Sequence, residues 1–122
     1  MEEIVLLLSQ LTGIPYAYDH FAEGEAPTLP YVIYYYPDTS NFAADDKVYK
    51  KINNVHIELY TDKKEPATEL RLETVLDNAG IFYNKSEVWI ESEKLYEVLY
   101  SFFMEVNDEH FKTAFNQRKR NR

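Results

Sequence analysis

The feature that most constrains the fold of this chain is an alternating stretch at residues 55–60, which leads into a helix signal at residues 66–80. Apolar and polar or amphipathic side chains alternate there with a period of two, which places one set on the buried face of a sheet. The apolar set consists of Val55, Ile57 and Leu59, and the opposite set of His56, Glu58 and Tyr60. The pattern predicts a half-buried strand.

A helix is predicted directly after this strand and a short polar turn. Pro66 suits the first helical turn, where its missing N–H is not needed. Apolar residues then recur at helical spacing, and Gly80 marks the end. These apolar residues are Leu72, Val75, Leu76 and Ala79.

The remaining elements are predicted from the same two periodicities. Residues 4–11 read as a helix, with Gly13 after it, and residues 15–18, 30–37, 81–90 and 96–106 as strands. The resulting order is α-β-β-β-α-β-β. We therefore expect an α+β fold, in which a mostly antiparallel sheet of about five strands carries two helices on one face. Residues 1–106 form a single predicted domain, and residues 107–122 a polar and basic extension.

Charge is distributed unevenly along the 122 residues. Residues 1–111 hold all 21 acidic side chains and 8 of the 13 basic ones, a net charge of −13, whereas the last eleven residues carry +5. The body should repel nucleic acid, and the extension should attract anionic surfaces.

The apolar run at residues 4–8 follows Glu2 and Glu3 and is shorter than a membrane span, which needs about 20 residues. Neither export nor a membrane anchor is therefore predicted.

Several kinds of site are disfavoured by the sequence. The chain has no cysteine and only 3 glycines, which excludes disulfides, thiolate metal sites and a cysteine nucleophile and leaves little for a phosphate-binding loop. His20 lacks the partner spacing of a metal ligand, and Asp45 with Asp46 lacks the pattern of a calcium loop. His56 and Glu58 share a strand face, but no nucleophile lies near them in sequence. We predict no enzyme, no cofactor and no metal.

Residues 38–46 lack usable periodicity and combine one large aromatic residue with small and acidic ones, which is typical of a functional loop. They include Asn41, Phe42, Ala43, Ala44, Asp45 and Asp46, which we predict as interaction residues. A second predicted interaction group lies in the basic extension and consists of Arg118, Lys119 and Arg120.

Four segments carry a resemblance to a known family. They are residues 18–24 (YDHFAEG), 41–45 (NFAAD) with 47–49 (KVY), 57–66 (IELYTDKKEP) and 87–98 (EVWIESEKLYEV). Together they resemble a family of small proteins encoded in the structural-gene clusters of phages and prophages of Gram-positive bacteria. The resemblance spans residues 1–106, and the chain is similar in size and strand order to tail-completion, or tail-terminator, proteins of long-tailed phages.

The resemblance implies an assembly role without catalytic residues. Such proteins form a ring, commonly a hexamer, that caps the tail tube and joins it to the head connector or stopper. The implied partners are other copies of the chain, the tail-tube protein and the connector, while DNA only passes through the channel. No membrane and no small-molecule substrate are implied. The expected location is the head-tail junction of the virion, after synthesis in the host cytoplasm.

Three alternatives remain open from the sequence. The first, within the same class, is a head-completion adaptor or minor capsid protein. The second is a small regulatory protein that binds nucleic acid through the basic extension. The third is a small hydrolase that uses His56 and Glu58.

Overall fold

A computed structural model describes residues 2–44 and 47–106 of the protein and shows an α+β fold. The two helices are α1 (Glu2–Leu8) and α2 (Pro66–Asn78). The strands are β1 (Tyr16–Tyr18), β2 (Tyr31–Tyr35), β3 (Phe42–Ala44), β4 (Lys47–Thr61), β5 (Asn84–Ile90) and β6 (Leu95–Val106). The predicted fold class and element order are confirmed, with β3 as an additional short strand.

The sheet has the strand order β1-β2-β4-β6-β5, and β3 pairs with β4 outside this path. Strands β1 and β2 are parallel, whereas β2 with β4, β3 with β4, and β5 with β6 are antiparallel. The sheet is thus mostly antiparallel. Strand β6 lies inside the sheet, between β4 and β5.

The chain divides into two compact units. Of the described residues, the larger unit contains 2–35 and His56–Phe102, and the smaller contains 36–44, 47–55 and 103–106. In the larger unit one face of the sheet supplies the core together with the two helices. Its most deeply buried apolar side chains include Ile4, Leu8, Val32, Ile57, Leu59, Leu72, Leu76 and Val98.

Helix α2 has the bounds that its end signals predicted. Pro66 occupies the first turn. After the helix, Gly80 adopts a left-handed conformation with φ of 71°. The Gly80 N–H donates to the Asp77 carbonyl and the Ile81 N–H to the Leu76 carbonyl, which is the Schellman arrangement. These two bonds satisfy carbonyls that would otherwise lack a partner at the helix end.

Helix α1 is shorter than its apolar spacing predicted. It ends at Leu8, and residues 9–14 continue as a series of tight turns. Leu11, expected on the helix, is nevertheless buried. Burial of the apolar side chain, rather than helical continuation, therefore explains the spacing.

In the smaller unit, the beginning of β4 forms an antiparallel arm with β3 and the residues before it. Phe42–Ala44 pair with β4, the Ser40 N–H donates to the Ile52 carbonyl, and the Asn54 N–H donates to the Asp38 carbonyl. Much of the stretch predicted as an irregular loop is therefore paired with a strand. Such pairing uses backbone groups, so a three-residue strand needs no side-chain periodicity.

Candidate functional site

The sheet face opposite the helices carries a band of tyrosines and carboxylates across β2 and β4. Because Ile57 and Leu59 point into the core, the alternate residues His56, Glu58 and Tyr60 lie on this second face. The antiparallel register sets three pairs of residues opposite each other. They are Tyr31 with Tyr60, Ile33 with Glu58, and Tyr35 with His56.

The aromatic rings of this face contact one another. The ring centroids of Tyr31 and Tyr60 are 5.3 Å apart, with 35° between the ring planes. Phe21 meets Tyr31 edge to face, also at 5.3 Å. The three rings form a continuous aromatic wall, since Tyr31 lies between the other two.

Glu58 and Glu97 form a pair of carboxyl groups beside this wall. The Tyr60 hydroxyl donates a hydrogen bond to Oε2 of Glu58. Burial, together with the charge of Glu58 and a hydrogen bond to it, raises the pKa of Glu97 to about 7. Two neighbouring carboxyl groups cannot both ionise easily, so one proton stays between them near neutral pH.

The neighbouring phenols remain protonated. Burial and hydrogen bonding to Glu58 raise the pKa of Tyr35 to about 12. The same two causes raise the pKa of Tyr60 well above its ordinary value. Both hydroxyl groups are therefore neutral hydrogen-bond donors on this face.

A pocket of about 390 Å³ opens beside the aromatic wall. Its apolar surface comes from Ala26, Ile33 and Ile90, and its aromatic surface from Phe21, Tyr31 and Tyr60. Asp19, His20, Glu58 and Glu93 supply the polar surface. The pocket combines aromatic rings with three carboxylates.

The turn after β1 brings Asp19 and His20 to the pocket. Asp19 has φ of 65°, and its N–H donates to the Tyr34 carbonyl of β2 at 2.8 Å. Aspartate tolerates this left-handed conformation better than most residues do. The Asp19 Oδ2 and His20 Nδ1 atoms are 2.9 Å apart. A parallel pairing of only three residues thus fixes one side of the pocket.

His56 and Glu58 share the predicted face and both contact the Tyr35 hydroxyl, but no direct contact joins the two side chains. Nδ1 of His56 lies 3.2 Å from the Tyr35 hydroxyl, while Glu58 accepts from Tyr60. Neither contact aligns the imidazole with the carboxylate as an acid-base pair requires. Within residues 2–44 and 47–106, no group of three or more His, Asp and Glu side chains is arranged to hold a metal ion.

Of the predicted interaction residues, Asn41 to Ala44 are described. Asn41 is exposed and its Oδ1 accepts a hydrogen bond from the Ile52 N–H at 3.2 Å. Phe42, Ala43 and Ala44 form β3. The predicted contacts at Asp45, Asp46, Arg118, Lys119 and Arg120 lie outside the described residues.

Strand β5 forms one edge of the sheet and is exposed over most of its length. Val88 is 52% exposed and Trp89 is 39% exposed. The Trp89 ring packs edge to face on Tyr96 of β6 at 5.0 Å, and its Nε1–H donates to Glu91. An aromatic side chain held by two side-chain contacts is therefore displayed on the outermost of the described strands.

The pocket residues Phe21, Tyr31 and Tyr60 and the neighbouring Glu97 were not predicted as site residues from the sequence. The alternation in β4 does predict that Glu58 and Tyr60 share a face. Which residues of β2 and β6 lie beside them depends on the register between strands, and the periodicity of one strand does not determine that register.

No protein-family model matches this chain, and a search of curated proteins returned no match. Among the described helices, none is long and apolar enough to cross a membrane.

Proposed function

We propose that this protein is a noncatalytic structural protein of a phage virion, which acts at the head-tail junction as a tail terminator. In this role several copies form a ring that joins the tail tube to the head connector. The expected ring is a hexamer. The family resemblance of residues 1–106 suggests the role. The structural observation that carries the proposal is the exposed edge strand β5.

Among the described strands none pairs with the outer side of β5, and such an edge suits ring formation because its backbone N–H and C=O groups can pair with a strand from another copy. Strand β5 is seven residues long, is antiparallel to β6, and forms the outer strand of the sheet order. Val88 and Trp89 add apolar surface at the same edge. In a head-to-tail ring, each copy uses this edge against a different surface of its neighbour.

The charge of the chain agrees with a channel through which DNA passes. The net charge of −13 over residues 1–111 disfavours phosphate binding by the body of the protein. DNA in such a channel is repelled from the wall and does not adhere to it. The proposed function therefore needs neither a nucleic-acid binding site nor a catalytic group.

Light scattering on the full-length protein tests this proposal, both alone and after mixing with the tail-tube protein from the same gene cluster. The expected result is a discrete ring, formed either by the protein alone or in the presence of the tube. A monomer that does not bind the tail-tube protein but binds the head connector would contradict the terminator role and favour a head-completion adaptor. A monomer that binds neither would contradict both roles.

Two matched substitutions test the edge strand. Val88→Lys places a charge at the exposed edge, and we expect it to abolish the ring while the fold is retained. Leu70→Lys also replaces an exposed apolar side chain with lysine, at a residue of α2 that is 63% exposed, and it should leave assembly unchanged. A ring that forms normally with Val88→Lys would show that β5 is not the contact.

A further inference from the structure

We propose that the pocket beside Phe21, Tyr31 and Tyr60 binds the guanidinium group of an arginine presented by a protein partner. The pocket lies within the larger unit of a single chain. The inference does not rest on the proposed ring and would hold for an unrelated partner. Its volume of about 390 Å³ is sufficient for one long side chain.

The charge of the pocket selects a cation. Asp19, Glu58 and Glu93 all contribute to its lining, and the residues that line it include no lysine or arginine. Its only basic group is His20, which already faces the carboxylate of Asp19. Glu93 lies close enough to add to the effect of burial in raising the pKa of the Tyr31 phenol. A phosphate or carboxylate would meet like charge here, so an anionic partner is disfavoured.

The aromatic wall favours guanidinium over a simple ammonium group. A cation near the face of an aromatic ring is attracted by the ring quadrupole, and the flat guanidinium can also stack on it. Tyr31 and Tyr60 lie side by side at 5.3 Å, and Phe21 stands edge-on to Tyr31. These contacts limit the movement of the rings before a ligand arrives, which lowers the entropic cost of binding.

The surroundings of Glu58, the one partly buried carboxylate of the three, strengthen the attraction. Ile33 is only 7% exposed and lines the pocket together with Ile90. Apolar surface beside a carboxylate lowers the local dielectric, so a charged hydrogen bond there is stronger than in water. Arginine can donate two parallel hydrogen bonds to one carboxylate, whereas lysine offers a single point of charge.

The pocket opens at the surface and its lining complements a single cationic side chain, so an arginine on a protein segment can enter it. A monovalent probe, Nα-acetyl-arginine methylamide, isolates this contact from the long-range attraction of the acidic body. It is titrated at constant ionic strength into the full-length protein carrying ¹³C-labelled tyrosine rings. Two compounds serve as controls. Nα-acetyl-citrulline methylamide has nearly the same shape as the arginine probe but no charge, and Nα-acetyl-lysine methylamide has the positive charge but no planar guanidinium group.

Saturable shifts of the Tyr31 and Tyr60 signals are expected with the arginine probe. Tyr83, which packs on Tyr100, and Tyr96, which packs on Trp89, serve as reference signals in the same spectrum. Citrulline should produce no saturable shift, and lysine should bind about threefold or more weakly. Equal shifts with citrulline, or equal shifts at the reference tyrosines, would overturn the proposal. Equal affinity for lysine would overturn the preference for guanidinium.

Matched charge-removing variants locate the contact. Glu58→Gln removes a carboxylate from the pocket lining and should weaken the arginine probe about tenfold, even though Glu97, which does not line the pocket, then ionises more readily. Because Glu58 also accepts from Tyr60, Glu93→Gln supplies a second variant at an exposed position that does not threaten the fold. Asp62→Asn removes the same charge from an exposed turn outside the pocket and should leave the affinity unchanged. If all three variants weaken binding equally, the attraction is a property of the whole acidic surface, and the pocket is not a site.

Discussion

The hydroxyl of Tyr100 in β6 donates a hydrogen bond of 2.8 Å to Oε2 of Glu73 in α2. Tyr100 is fully buried and the Glu73 side chain is 20% exposed, so this bond joins helix to sheet where water competes only weakly for it. The same carboxylate oxygen accepts from Nζ of Lys85 in β5 at 2.9 Å. A single carboxylate thus connects the second helix to two neighbouring strands.

Removing the hydroxyl with Tyr100→Phe should lower the free energy of unfolding by about 1–3 kcal/mol, because a buried bond to a charged acceptor is lost without a change of shape. Urea denaturation of Tyr100→Phe, Glu73→Gln and the double variant forms a double-mutant cycle. A coupling energy near zero would show that the contact contributes nothing to stability. Tyr16→Phe, in the three-residue strand β1, is the matched control.

Glu69 of α2 is a buried carboxylate held by two lysines. It is 2% exposed, and its Oε1 lies 2.8 Å from Nζ of Lys64 and 2.7 Å from Nζ of Lys85. Burial by itself raises the pKa of Glu69, but hydrogen bonds and attraction from the two lysines outweigh it, so the pKa lies below its ordinary value. The folded protein therefore keeps this carboxylate ionised in mild acid.

We expect Glu69→Gln to lower the free energy of unfolding at pH 7 by about 1–2 kcal/mol, a figure reduced from that of a fully buried pair because both lysines are partly exposed. The parent protein should also lose stability as the pH falls below about 4.5, since the unfolded chain then takes up a proton that the folded protein resists. The free energy of unfolding of Glu69→Gln should fall less than that of the parent protein over the same drop in pH. Glu23→Gln, on an exposed loop, is the control, and an identical acid profile for both variants would contradict the assignment.

Gly80 ends α2 in a conformation that other residues adopt at a cost. Its φ is 71°, and apart from Gly80 and its two chain neighbours no atom of the described residues lies within 4 Å of the position that a Cβ would occupy. Gly80→Ala should therefore cost about 1 kcal/mol from the backbone conformation alone, without a steric clash. Thermal unfolding monitored by circular dichroism measures the change. The control is Gln10→Ala on the exposed turns after α1, which should leave the midpoint nearly unchanged, and a loss above about 3 kcal/mol would indicate a packing role instead.

The local elements of this fold could be predicted from the sequence because their signals are local. The alternation at residues 55–60 predicted the second half of β4, and Pro66 with Gly80 predicted both ends of α2. Strand β3 was missed because three residues held by backbone hydrogen bonds need no side-chain pattern. Helix α1 was predicted too long because Leu11 is buried without being helical.

The candidate pocket could be predicted only in part. Glu58 and Tyr60 were placed on one face by their spacing, but Tyr31 and Phe21 reach them through strand register and a turn. Long-range pairing of this kind is not encoded in the periodicity of one segment. The raised pKa of Glu97 has the same origin, because it depends on a neighbour 39 positions earlier in the chain, Glu58.

Glu97 should make the stability of the protein fall as the pH rises through neutrality. Its pKa lies at about 7 in the folded protein, against an ordinary value of 4.5. Between these values the folded protein holds a proton that the unfolded chain has released, so the free energy of unfolding decreases with increasing pH. Glu97→Gln cannot ionise and should remove this decrease, while Glu25→Gln on an exposed loop should retain it. Urea denaturation at intervals from about pH 5 to about pH 8 checks the prediction, and a flat profile for the parent protein would contradict it.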